Sequence, residues 1–381
     1  MDYSPPENHT NGPEAAEATP RTASSAALRL LRLLRADDPA SKLQAARDIR
    51  RLTKTSPAFR RQLTDAVEPL VAMLRLDSPE LKDAALLALL NLAVKDETNK
   101  VNIVDAGALE PIISFLQSDD VELQEHAAAA LLTLSASSIN KPVISSSRAI
   151  PLLAGILKCG TQQAKIDALM ALYNLSTHPD NLTLILKSDP IPSIVNLLKT
   201  CKKSSKTAEK CTALLESLLN FEDSRIALTS EEGGVFAIVD VLENGSLQSR
   251  EHAVGALLAM CQSDRCKYRE PILREGVIPG LLELTVQGTP KSQGKAHTLL
   301  RLLRESPYPK SDHQPDTLEN IVCNIISQIN GEDQSDKAKK MLAEMVQVSM
   351  EQTLRHVQQR ALVCTPADMP LANCASEVSL K

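Results

Sequence analysis

A chain of 381 residues with 43% hydrophobic side chains can bury a large core, but aromatic residues are only 2% and Trp is absent, so Leu, Ile, Val and Ala must fill it. A formal net charge of -5 and a pI near 5.9 exclude a protein whose main partner is a phosphate backbone, and the few aromatic rings offer no platform for stacked bases. No run approaches 18 apolar residues and the N-terminus lacks a charged-then-apolar leader, so the expectation is a soluble chain without a membrane span, in the cytoplasm or nucleus.

Residues 1 to 25 are rich in Pro, Ser, Thr, Glu and Asn and carry almost no large apolar side chain, which predicts a disordered tail. From 26 to 304 a fixed pattern takes over. Seven times a small residue is followed four places later by Leu or Ile and three places after that by Leu or Met, in copies 40 to 43 residues apart. The triplets are Ala45/Ile49/Leu52, Ala85/Leu89/Leu92, Ala127/Leu131/Leu134, Ala168/Leu172/Leu175, Cys211/Leu215/Leu218, Ala253/Leu257/Met260 and Ala296/Leu300/Leu303. This spacing places three side chains on one helix face, and its recurrence predicts an all-α solenoid of about seven repeats.

A second series runs in step with the first. Pro69, Pro111, Pro151, Pro192 and Pro279, with Ala237 in the missing slot, each begin an apolar run, as Pro does in the first turn of a helix. Gly107, Gly234 and Gly276 precede three of these starts as turn residues. Shorter segments follow each long helix and pair Asn99 with Ile103, Asn140 with Ile144, Asn181 with Ile185 and Arg225 with Leu228, giving three helical segments per unit. Past Arg304, residues 305 to 316 read as a Pro-punctuated linker. Residues 317 to 362 read as two helices that either cap the array or bind a partner, and 363 to 381 as a flexible tail.

The stretch SPELKDAALLALLNLAVKDETNKVNIVDAGALEPIISFL, residues 78 to 116, resembles the armadillo repeat, and EHAAAALLTLSASSINKPVI and AKIDALMALYNLSTHPDN carry the same theme. The likeness is to the armadillo arrays of plant relatives of the U-box ubiquitin ligases, with AARDIRRLTK, residues 45 to 54, similar to their first unit. It implies a right-handed helical solenoid with a concave face that binds other polypeptides. Residues 1 to 25 have no likeness to a U-box, so the chain is not expected to recruit a ubiquitin-conjugating enzyme through one of its own.

Counting from the small residue of each stripe, positions -1, +2 and +6 share the helix face roughly opposite the core, which the resemblance makes the groove. They hold Gln44, Arg47, Arg51; Ala84, Leu87, Asn91; His126, Ala129, Thr133; Asp167, Met170, Asn174; Lys210, Ala213, Ser217; His252, Gly255, Ala259; and Lys295, Thr298, Leu302. The candidate partner-binding residues are Arg47, Arg51, Asn91, His126, Thr133, Asn174, Ser217 and His252. Asn91 and Asn174 fall where armadillo proteins use an amide against the backbone of an extended peptide, since it both donates and accepts. Import-signal binding would need Trp four residues earlier, where Leu87 and Met170 stand. Arg47 and Arg51 make the N-terminal end basic, and Lys210 and Lys295 return positive charge later, which would steer acidic or phosphorylated peptides.

No phosphate-cradling Gly loop, nucleophile elbow, zinc-protease motif or calcium loop occurs, and neither the eight cysteines nor the seven histidines stand at metal-ligand spacing. Cys261 and Cys266, with Lys267 nearby, are the only hint of a reactive thiol, and the Cys are expected to be reduced. The expected function is therefore a non-catalytic binding scaffold in signalling, without metal or cofactor, a monomer whose partner is an extended protein segment. The alternative is a recruiting or regulatory subunit acting with U-box relatives in ubiquitination.

Overall fold

Every long helix opens on a residue that can accept one of its unpaired N–H groups. Asp38, Ser78, Asp120, Thr161, Ser205, Ser246 and Thr289 do so in turn, each cap worth about 1 kcal/mol. Prolines at 39, 79 and 290 then occupy the first helical position, where their missing N–H costs nothing. The period of the chain is thus written in its caps as well as in its apolar stripe.

The computed structural model describes residues 20–304, with side chains from residue 25 onward. Helices α1 (Pro20–Arg35) and α2 (Pro39–Thr53) open the stack. Six three-helix units follow: α3 (Pro57–Gln62), α4 (Val67–Met73) and α5 (Pro79–Ala93); α6 (Glu97–Asp105), α7 (Leu109–Phe115) and α8 (Val121–Ser135); α9 (Asn140–Ser146), α10 (Ala149–Cys159) and α11 (Gln162–Ser176). Next come α12 (Pro179–Leu186), α13 (Ile191–Thr200) and α14 (Lys206–Leu218); α15 (Glu222–Ser230), α16 (Gly234–Asn244) and α17 (Leu247–Ser263); and α18 (Arg265–Arg274), α19 (Ile278–Gln287) and α20 (Pro290–Arg304). No strand occurs among the described residues, and none of their helices is long and apolar enough to cross a membrane. The first helix begins at Pro20, inside the segment expected to be a tail. The linker, helices and tail expected over 305 to 381 lie outside the described residues.

Each long helix packs against the long helix before and after it, from α2 through α20. The stripes point inward as the pattern requires: all seven small residues are buried, and only Leu52 and Leu300, in the first and last long helices, are half-buried. Burial of one such Leu contributes about 1.5 to 3 kcal/mol, and the buried side chains join into one continuous apolar cluster.

The small polar punctuation has specific tasks. Asn99 donates both amide hydrogens, to Arg60 O at 3.0 Å and Leu92 O at 3.2 Å. Asn140 repeats this on Lys100 O at 3.0 Å and Leu134 O at 3.2 Å, while Asn181 reaches Leu175 O at 2.9 Å. Arg225 does the same work with Nη1 on Leu219 O at 2.8 Å. These side chains tie the first helix of one unit to the orphan carbonyls that end the preceding long helix. Gly107, Gly233 and Gly276 take φ of 80°, 65° and 75°, the left-handed region that suits Gly. The turn residue between α15 and α16 is therefore Gly233 and not Gly234. Gly234 instead starts α16 so close to Leu228 O that a Cβ would lie 2.2 Å from it.

Candidate functional site: the long-helix face

The seven long helices lie side by side, so several of their -1 and +2 positions are covered by a neighbouring long helix, although Gln44 and Arg47 on the first are exposed and Met170 is half-buried. Ala84, Leu87, Asp167, Ala213 and Gly255, counted above among the groove positions, are buried there. What remains accessible is a strip one turn away. Leu90, Leu132 and Tyr173, all at +5, are half-buried together with Met170. The sequence reading missed this +5 series; the apolar residues recurring next to Asn91, Thr133 and Asn174 were the available sign.

Along the +6 edge, Asn91 Nδ2 donates to Arg50 O at 2.8 Å, and Asn174 Nδ2 donates to Leu132 O and Ser135 Oγ, each at 3.2 Å. Arg50 and Leu132 hold the same slot in their own units, so each Asn is pinned to the preceding long helix in the same way. The amide is thus half committed to the scaffold, which leaves its oxygen for a partner. Thr133 Oγ1 and Ser217 Oγ bond back to Ala129 O at 3.0 Å and Ala213 O at 3.2 Å in their own helices.

The charged candidates differ from expectation in their partners. Arg47 is exposed and, among the described residues, has no counter-ion, whereas Arg51 bonds Asp48 at 3.0 Å. Arg47 and Arg50 share a recess of about 240 Å³ with Glu80, Asp83, Asp120 and Glu122, so the N-terminal end is mixed in sign and not simply basic. His126 Nδ1 lies 2.6 Å from Asp83 Oδ1. That hydrogen bond raises the His126 pKa above its ordinary value against the opposing effect of burial.

Farther along, one carboxylate ties three long helices together. Glu216 on α14 meets His252 Nδ1 on α17 at 2.7 Å and Lys295 Nζ on α20 at 2.6 Å. Burial pushes the Glu216 carboxyl up, but the bonds from His252 and Lys295 outweigh it and hold its pKa below the ordinary value. Gly255 makes the crossing possible: a Cβ there would sit 1.8 Å from Glu216 Oε1 and 2.8 Å from Lys295 Nζ. Lys210 is also committed, with Nζ 3.2 Å from Glu209 and 4.1 Å from the centre of the Tyr173 ring. Lys210 and Lys295 are therefore not free cations, because Glu209 on the same helix as Lys210 and Glu216 two units before Lys295 reach them first.

At Cys261 the hint of a reactive thiol is overturned, whereas Cys266 is exposed. Burial pushes the Cys261 pKa up to about 11, and Lys267 lies 5.4 Å over the Tyr268 ring and 3.9 Å from Glu222. Among the described residues no three His, Cys, Asp or Glu side chains gather as metal ligands would.

This geometry meets its relatives in the pattern of repeats. The family model described as the plant U-box protein ARM repeat region matches residues 27–313. The chain belongs to that family. The ARM array is similar to U-box domain-containing protein 45 of Arabidopsis thaliana, 32% identical over 221 residues, which is 58% of this chain and 28% of that protein. It is also similar to U-box domain-containing protein 8 of the same plant, 27% identical over 242 residues and 63% of each chain. The array thus spans less than two thirds of the length of these relatives. Among solved structures, an engineered protein superposes with a TM-score of 0.63 at 23% identity, over 74% of this chain and 68% of that one, which shows the shared fold.

Proposed function

We propose that this ARM array is a non-catalytic scaffold, in the cytoplasm or nucleus, that holds an extended segment of a partner protein against α5, α8 and α11. The observation that carries this reading is the accessible apolar strip of Leu90, Leu132, Met170 and Tyr173, edged by Asn91 and Asn174, whose amides are already fixed by the scaffold. Fixing those side chains before a ligand arrives removes part of the ordering cost of binding. Toward the C-terminal end the Glu216 bridge fills the face, so the strip ends near α14.

Peptides selected from a random display library against the full chain test this. They are expected to compete with one another, and a Leu90→Arg/Met170→Arg variant with an unchanged melting temperature should lose them. Retention of the selected peptides by that variant would refute the placement.

Family membership favours a second reading, in which the array presents its partner to the ubiquitination machinery together with U-box relatives. Sedimentation of the purified chain with a full-length U-box relative distinguishes the two, since only the second reading calls for a mixed complex.

A further inference from the structure

Cations left unpaired on the long-helix face are few, but they reappear at the edge of the stack. A recess of about 410 Å³ lies where the end of α10 and the start of α11 meet α13. Lys158, Lys165 and Lys199 line it together with Glu231, and Gln162, Ser193 and Asn196 add neutral hydrogen-bonding groups. Among the described residues Lys158 and Lys165 have no hydrogen-bond or ion-pair partner. Lys199 is held in place, its Nζ donating to Glu232 O and standing 3.9 Å from Glu231. Three ammonium groups and one carboxylate leave the recess with two net positive charges.

The repeat supplies an internal control. Arg35 and Lys42 stand 10 and 3 residues before Ala45, as Lys158 and Lys165 stand before Ala168. They line the corresponding recess of about 370 Å³ near the start of the array. There Glu68 takes up one charge, and Pro69, Ala72, Met73 and Leu76 make the rest of the wall largely apolar, with Leu76 where the later recess has Lys199. In the next unit, Arg75 at the same slot is consumed by Gly107 O at 2.8 Å, and Lys82 lies 6.0 Å over the Phe115 ring. Arg35 and Lys42 are as free of ion-pair partners as Lys158 and Lys165 among the described residues, so what sets the recess at α11 apart is its third cation, Lys199, and its more polar wall.

From this we infer that the recess between α10, α11 and α13 binds a phosphomonoester, presented as a phosphoserine or phosphothreonine side chain of a partner protein. A phosphorylated side chain carries about -1.5 to -2 charges at neutral pH and several acceptor oxygens, which matches two net positive charges and the surrounding donors better than a single carboxylate does. A protein source follows from the reading of the array as a protein-binding scaffold, on which this part of the inference rests. The recess lies away from the Leu90/Met170 strip and is tested separately from it.

The probe is a fluorescein-labelled peptide of Gly, Asn and Ser carrying one phosphoserine, read by anisotropy against the full chain. It should bind, and its unphosphorylated counterpart should bind at least about tenfold more weakly. Lys158→Gln/Lys165→Gln should weaken the phosphopeptide by about tenfold or more, and so should Ser193→Asp, while Arg35→Gln/Lys42→Gln and Leu90→Arg/Met170→Arg should leave it within about twofold. Equal binding of the two peptides, or an equal loss in the Arg35/Lys42 variant, would overturn the inference. Two further results would also overturn it by moving the ligand to another source: displacement by inorganic phosphate at the phosphopeptide's own concentration, or Lys158-dependent binding to phosphoinositide vesicles without phosphopeptide binding.

Discussion

The two halves of the long-helix face use the same repeat positions for opposite ends. From α5 to α11 the +5 and +6 slots hold Leu90, Asn91, Leu132, Thr133, Tyr173 and Asn174, and the strip stays open. From α14 to α20 the slot that holds Tyr173 in the previous unit holds Glu216, which reaches across Gly255 to His252 and Lys295 and closes the face with the chain's own charges. A single solenoid can therefore keep one stretch available to partners and spend another on holding its units together. Which of these happens depends on whether a carboxylate has a small residue beside it to cross.

The largest effect on this contrast would come from beneath the open half. Leu131 is fully buried, so Leu131→Asp should cost about 4 kcal/mol, seen as a lowered urea midpoint, and should abolish the strip together with the units around it. Gly255→Ala attacks the closed half. Its Cβ must displace the Glu216 carboxylate, which should cost roughly 1.5 to 3 kcal/mol for the lost charge-assisted bonds. Because the Glu216 pKa is lowered in the fold, that contribution is present above the ordinary carboxylate value and is lost as pH falls through the folded value. The destabilisation by Gly255→Ala should accordingly shrink in acid, and a constant difference across pH would show that the bridge is not its cause.

His126 gives the smallest effect and the opposite sign. Asp83 favours its protonated form, so its contribution is complete below the ordinary histidine value and fades as pH rises through the raised one. His126→Gln should cost about 0.5 kcal/mol near pH 5.5 and almost nothing near pH 9, measured by urea unfolding of both proteins. Loss of stability that grows with pH would contradict the pairing.

The triplets such as Ala127/Leu131/Leu134 were legible because a helix face repeats every few residues and a solenoid repeats every unit, so the core writes itself into the sequence twice. The ion pairs were not. Asp83 and His126 are 43 residues apart and Glu216 and His252 are 36, and such partners become visible only once the offset between neighbouring long helices is known. For Asp83 and His126, an acid at -2 in one unit facing a His at -1 in the next was the sign to look for, while Glu216 reaches His252 from a different slot, +5. The armadillo resemblance placed Asn91 and Asn174 at the +6 slot, but their bonds to Arg50 O and Leu132 O could not be read without the packed neighbour. Gly255 looked like a featureless groove position, because the reason for a missing side chain lies in what crosses above it.

The buried Asn99, Asn140 and Asn181 give the stack a direction. Each carries donors whose acceptors belong to earlier parts of the chain, Arg60 and Leu92 for Asn99, Lys100 and Leu134 for Asn140, and Leu175 for Asn181. Trimming units from the C-terminal side returns carbonyls to water, whereas trimming from the N-terminal side strands amides whose preferred acceptors are gone. Fragments of this solenoid should consequently tolerate shortening from one end far better than from the other, and growth of the folded stack would be easiest in the order in which the ribosome delivers it.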